Sequence, residues 1–188
     1  MEAPLKRTLA GKRDAAILET IYSAGIRIAE LAAITRRDIA RNQRGWMIKI
    51  TGKGSHERMV PVGSCAARAI IRYLRRCPTD GFVFRNLRGG KISTRSIERV
   101  VDRYLDLIGR ADCSAQSLRH SCATHMLWNG AGIADIQSLL GHKNIHTTQI
   151  YTHLDLPSFK KAYKALEDIR SVMDQEELFR RDDFEEAA

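Results

Sequence analysis

Five side chains suited to phosphate chemistry stand in four short motifs of this chain: Arg27, Lys53, Arg119, and His142 with Tyr151. Tyr151 follows the Gly141-His142 pair by nine residues, in a polar segment that opens a helix. Its hydroxyl is a candidate nucleophile because of the cations elsewhere in the chain. Arg119, in Gln116-Ser117-Leu118-Arg119-His120-Ser121, falls at a predicted helix start. Backbone N–H groups there already favour an anion, and a guanidinium adds two parallel donors. Arg27 reads as one turn into a helix between Ile26, Ile28 and Leu31, which predicts a partly buried side chain. Glu30, three residues on, can orient it. Lys53 lies at a hairpin tip, Gly52-Lys53-Gly54-Ser55, where a mobile ammonium can reach a phosphate. Taken singly, each has a plainer reading: a surface ion pair, a solvated turn lysine, a helix tyrosine at the core edge.

Other chemistries fail on the same residues. A P-loop would need glycine where Met47 stands, and Ser or Thr where Gly54 follows the lysine. His142 and His146 are one helical turn apart, but no carboxylate or cysteine of suitable spacing joins them, so no metal is expected. Ser-His-Asp hydrolysis lacks a nucleophile elbow.

These residues need elements to place them, and periodicity supplies a set. Residues 1–12 are basic and aperiodic, an extended arm. Arg13 to Ala24 predicts a helix stopped by Gly25, followed by a short helix from Ile28 to Ile34. Trp46 to Thr51 and Arg58 to Val62 alternate as paired strands around the Lys53 turn. Ser64 to Arg76 is amphipathic, and Phe82-Val83-Phe84 predicts a short strand. Thr94 to Ile108 has Ile97, Val100, Val101, Tyr104, Leu105 and Ile108 at helical spacing. Further helices are predicted over 117–128, 133–140, 146–154 and 158–170, with an acidic one at about 174–186. The fold class is therefore mainly α with a small antiparallel β-sheet. The chain divides into the arm, a body over 13–170 and an acidic C-terminal segment over 171–188.

Charge points to the partner. The chain carries +9 overall, yet residues 171–188 hold seven acids against two arginines, leaving +14 on the preceding body. A basic body of this kind suits a polyanion. Cys65, Cys77, Cys113 and Cys122 form no C-x-x-C pair, so reduced thiols and a cytoplasmic location are expected. No apolar run approaches the roughly 20 residues of a membrane span.

The motifs AGIRIAELAAI, ITGKGSHERMVPV, SLRHSCATHML and LLGHKNIHTTQIYTHL together resemble the catalytic domain of the tyrosine recombinases. This is the phage-integrase family, which includes the Xer-type chromosome-dimer resolvases, and the match covers about residues 13–170. The resemblance implies that Tyr151 attacks a DNA phosphodiester to give a 3′-phosphotyrosyl link, with no cofactor. It implies Arg27 and Arg119 on the non-bridging oxygens, Lys53 as general acid and His142 as hydrogen-bond donor. Glu30 and His120 would support the arginines. Double-stranded DNA is the implied partner, with Arg36, Arg37, Arg95, Arg99 and Lys143 as candidate backbone contacts; solvated helix charges are their plainer reading. Self-association into dimers or tetramers through the C-terminal helix is implied, the helix docking in cis or in trans through Leu178, Phe179 and Phe184.

Two departures from the family pattern bear on activity. Gln116 stands where the family usually has histidine, and an amide cannot accept a proton as a base. Most members also carry a further N-terminal helical domain, and without it weak, salt-sensitive DNA binding is expected. A DNA-binding regulator and a type IB topoisomerase-like nicking-closing activity are the competing readings.

Overall fold

The computed structural model describes residues 8–42, 45–52, 57–86 and 88–141. The elements run α1 (Leu9–Ala24), α2 (Ile28–Ala33), a 3-10 turn (Arg36–Asp38), β1 (Ile39–Asn42), β2 (Gly45–Thr51), β3 (Glu57–Val62), α3 (Ser64–Arg76), α4 (Thr94–Leu107), α5 (Ala115–Trp128) and α6 (Ile133–Leu140). The helices predicted over 146–154, 158–170 and 174–186 lie outside the described residues.

α1 begins at Leu9, so the arm expected over 1–12 gives way to helix before Arg13. The cause is a cap: the Thr8 hydroxyl accepts from the Gly11 N–H at 3.0 Å. Ala16, Ile17, Leu18, Ile21 and Ala24 are all buried, because α1 is covered by α3, α5, β3 and both α2 and α4. A helix so enclosed is the centre of the core. By contrast α4 buries one stripe, Ile97, Val100, Val101, Tyr104 and Leu105, and turns Arg95 and Arg99 outward. Ser93 caps it, accepting from the Ser96 N–H.

The sheet is antiparallel with order β1-β2-β3. Ile48 and Ile50 on β2 and Val60 and Val62 on β3 are buried, so one face meets the helices. Register pairs Ile48 with Val60 and Ile50 with Arg58. β1 escaped periodicity because Ile-Ala-Arg-Asn is an edge strand without alternation, exposed after Ile39. The strand predicted at 82–84 is only bridged: Phe82 pairs with Thr35, and the Val83 N–H donates to the Ile34 carbonyl at 2.9 Å. No disulfide joins the four cysteines. No described helix is long and apolar enough to cross a membrane.

Candidate active site

The site is built on the C-terminal end of α6. Gly141 takes the left-handed conformation, φ 63°, and its N–H turns back to the Ser138 carbonyl at 3.2 Å. A helix end of this kind leaves its last carbonyls without intrahelical donors. Arginines take them. Arg119 on α5 donates from Nη2 to the Leu140 carbonyl at 2.7 Å and from Nη1 to the Gly25 carbonyl. Arg27 reaches the same Leu140 carbonyl from Nη1 at 3.5 Å. Two guanidinium groups remote in sequence thus meet at one oxygen, that of the residue before Gly141-His142.

α5 presents Arg119 because its N-terminus is capped by Ser114, whose hydroxyl accepts from the Ser117 N–H. The helix starts at Ala115, two residues earlier than periodicity predicted, so Arg119 lies in its second turn, 2% exposed. Cys122 lies next to it in the core, where burial pushes its thiol up to about 12. That thiol is no nucleophile near neutral pH.

Arg27 corrects an expectation. It precedes α2 as its N-cap, φ −76° and ψ 150°, rather than sitting a turn inside, and its side chain is 47% exposed. Gly25 causes this by turning the chain through φ 56° after α1, so that α2 begins only at Ile28. Glu30 closes the cap. Its Oε2 accepts from the Arg27 N–H at 2.9 Å and its Oε1 from Arg27 Nη1 at 3.3 Å. Burial alone would raise the Glu30 carboxyl. Hydrogen bonds from Arg58 and the Arg27 backbone, with both guanidinium charges, outweigh it and hold the group below its usual 4.5.

Arg58 was absent from the residues singled out by sequence. On β3 it shares the inward parity of Val60 and Val62, and a charge on an apolar parity was the available signal. Gln116 is exposed at the start of α5, its Nε2 3.4 Å from Nε2 of His120. Burial first, and the Arg119 charge second, lower the His120 imidazole from its usual 6.5, which leaves it neutral at pH 7.

Arg27, Glu30 and Arg119 are therefore brought together. Arg36 and Arg37 stand exposed on the 3-10 turn, and Arg95 and Arg99 on the outer face of α4. Lys53, His142, Lys143 and Tyr151 lie outside the described residues.

A model described as the phage integrase family matches residues 1–156. Tyrosine recombinase XerC of Pelobacter propionicus is 44% identical over 167 residues, covering 87% of this chain and 55% of the relative. The chain thus spans about half the length of the curated relatives it matches. The crystal structure of XerA recombinase superposes with TM-score 0.67 at 29% identity, over 82% of this chain and 56% of that one. XerH site-specific recombinase bound to difH substrate gives TM-score 0.70 at 24% identity, over 85% and 48%.

Proposed function

The chain belongs to the phage integrase family, and from that premise we propose that it is the catalytic part of a site-specific recombinase that cleaves and rejoins double-stranded DNA. The observation that carries the reading is the meeting of Arg27 and Arg119 at the Leu140 carbonyl, directly before Gly141-His142. Two fixed guanidinium groups at one point form a clamp for a tetrahedral oxyanion.

In this reading the Tyr151 hydroxyl gives up its proton to water and its oxygen attacks the scissile phosphorus. A phosphotyrosyl bond forms at the 3′ side, the bond to the 5′ oxygen breaks, and Lys53 protonates the leaving oxygen. Arg27 and Arg119 offset charge in the pentacoordinate transition state, with His142 donating a further hydrogen bond. A 5′-hydroxyl, from the same or a partner duplex, reverses the step and frees Tyr151. One phosphoester is exchanged for another, so neither ATP nor a metal is consumed. Arg119 is pre-set by burial and its two carbonyls, which reduces reorganisation on binding. Arg27, half exposed, is open to DNA. Residues 13–170 form the catalytic unit in this reading, and Leu178, Phe179 and Phe184 dock the C-terminal segment within a dimer or tetramer on DNA. Exposed Arg36, Arg37, Arg95 and Arg99, with Lys143, supply backbone contacts.

Gln116 favours one second reading, a DNA-binding regulator whose chemistry is impaired. A pool of nicked duplexes with randomised sequence separates the two, because loss of the short cut strand traps the adduct. The expected result is a denaturant-resistant protein–DNA band that Tyr151→Phe abolishes and whose DNA, once sequenced, gives the site. Binding without a band selects the regulator. Absence of both binding and band sinks both readings.

A further inference from the structure

Arg58 spends each of its three guanidinium nitrogens on a defined acceptor. Nη1 and Nη2 donate to Glu30 Oε1 and Oε2, both at 2.9 Å, and Nε donates to the Leu139 carbonyl at 2.9 Å. The pair is enclosed, with side chains 16% and 7% exposed for Arg58 and Glu30. The guanidinium also lies against Gly141: a Cβ there would stand 3.1 Å from Cζ and Nη1. One side chain on β3 therefore holds the carboxylate that caps α2 and the end of α6 at once.

Stability alone does not account for this arrangement. Burying an ion pair on the apolar face of a strand costs desolvation of both charges, and a well-packed apolar pair is often as stable. An apolar pair could not hold Glu30 in the orientation that braces Arg27, nor donate to a carbonyl one residue from the one Arg119 grips. The benefit lies in geometry.

We propose that Arg58 is a positioning residue of the recombinase site, locking Glu30, and through it Arg27, against the end of α6 that anchors Arg119. It rests on the function proposed above. Because Arg58 lies on β3, which pairs with β2, the same contacts tie these two strands to the arginine clamp. Lysine cannot replace it, since an ammonium has no planar fork to fill three acceptors in one plane.

The test uses the full chain, the nicked-duplex pool and thermal unfolding as the folding control. Arg58→Lys is expected to unfold near the wild-type temperature yet form adduct roughly tenfold to a hundredfold more slowly, the cost of a slightly misplaced clamp. Combined with Arg27→Ala it is expected to cost little more, because both changes remove one interaction. Arg58→Gln is expected to move the acid limb of cleavage to higher pH, since Glu30 loses the cation that keeps it ionised; a purely structural arginine would leave that limb in place. Should Arg58→Gln not fold, Arg58→Lys and the double variant decide. A wild-type rate in folded Arg58→Lys, or losses that multiply in the double variant, overturns the proposal. If the wild-type chain forms no adduct, the recombinase reading fails and binding decides Arg58 separately. The slope of log affinity against log salt on a fixed-sequence duplex should then fall by about one in both Arg27→Ala and Arg58→Lys. A fall in Arg27→Ala alone overturns the proposal.

Discussion

Gln116 is where the chemistry of single residues is most exposed to test. Its amide can donate to a phosphate but cannot take the proton of Tyr151. His120, one turn along, half-buried and neutral at pH 7, has its Nε2 3.4 Å from the Gln116 amide nitrogen. Gln116→His is expected to raise the single-turnover cleavage rate by about a hundredfold, the lower end of the range for general base assistance. The sign with pH follows from the imidazole: it accepts a proton only when neutral, so the gain holds above its pKa and fades on acidification. An unchanged rate at every pH would mean that proton removal from Tyr151 does not limit cleavage. Position 116 was legible from its spacing to Arg119. The contact with His120 was legible too, as an i,i+4 pair, but the burial that neutralises the imidazole depends on packing around α5.

Among the elements, the end of α1 carries more than its own helix. Gly25 adopts φ +56°, and a Cβ there would lie 2.8 Å from Leu140 Cδ2 and 3.2 Å from Cys122 Sγ. Gly25→Ala meets two costs: about 1 kcal/mol for a left-handed alanine, and displacement of α6. Gly109, after α4, separates them, because it has φ +69° with nothing within 4 Å of a Cβ. Both alanine variants are expected to lower the melting temperature, Gly109→Ala by the backbone cost alone. Only Gly25→Ala is expected to slow adduct formation, since it shifts the Leu140 carbonyl that Arg27 and Arg119 share. Equal effects on cleavage would remove Gly25 from any part in placing the clamp. The stop after Ala24 was readable from glycine chemistry, and α3, α4 and α6 from their apolar faces. The start of α1 was misread because Thr8 caps a first turn, Leu9 to Lys12, with little periodicity of its own.

For the whole molecule, the decisive quantity is charge distribution. A body of +14 beside a segment of −5 predicts binding dominated by phosphate contacts and counterion release. With about six such contacts, affinity for duplex DNA should fall roughly a thousandfold between about 50 and 200 mM salt. Affinity nearly independent of salt would contradict the proposed interface. By itself the sequence determined the family and most limits of the described helices, and it named the candidate reactive side chains, since all of these are written in residue type and local spacing. It also determined that Arg27 has Glu30 within reach, a matter of three residues. Tertiary structure alone decided that Arg27 and Arg119 meet at Leu140, that Arg27 stays half exposed while Arg119 is buried, and that Arg58 braces Glu30. The physical reason is the same in each case. Strand alternation and helical periodicity say which way a side chain points, but the acceptor it meets belongs to another element, brought there only when α1, α2, β3, α5 and α6 close around one core.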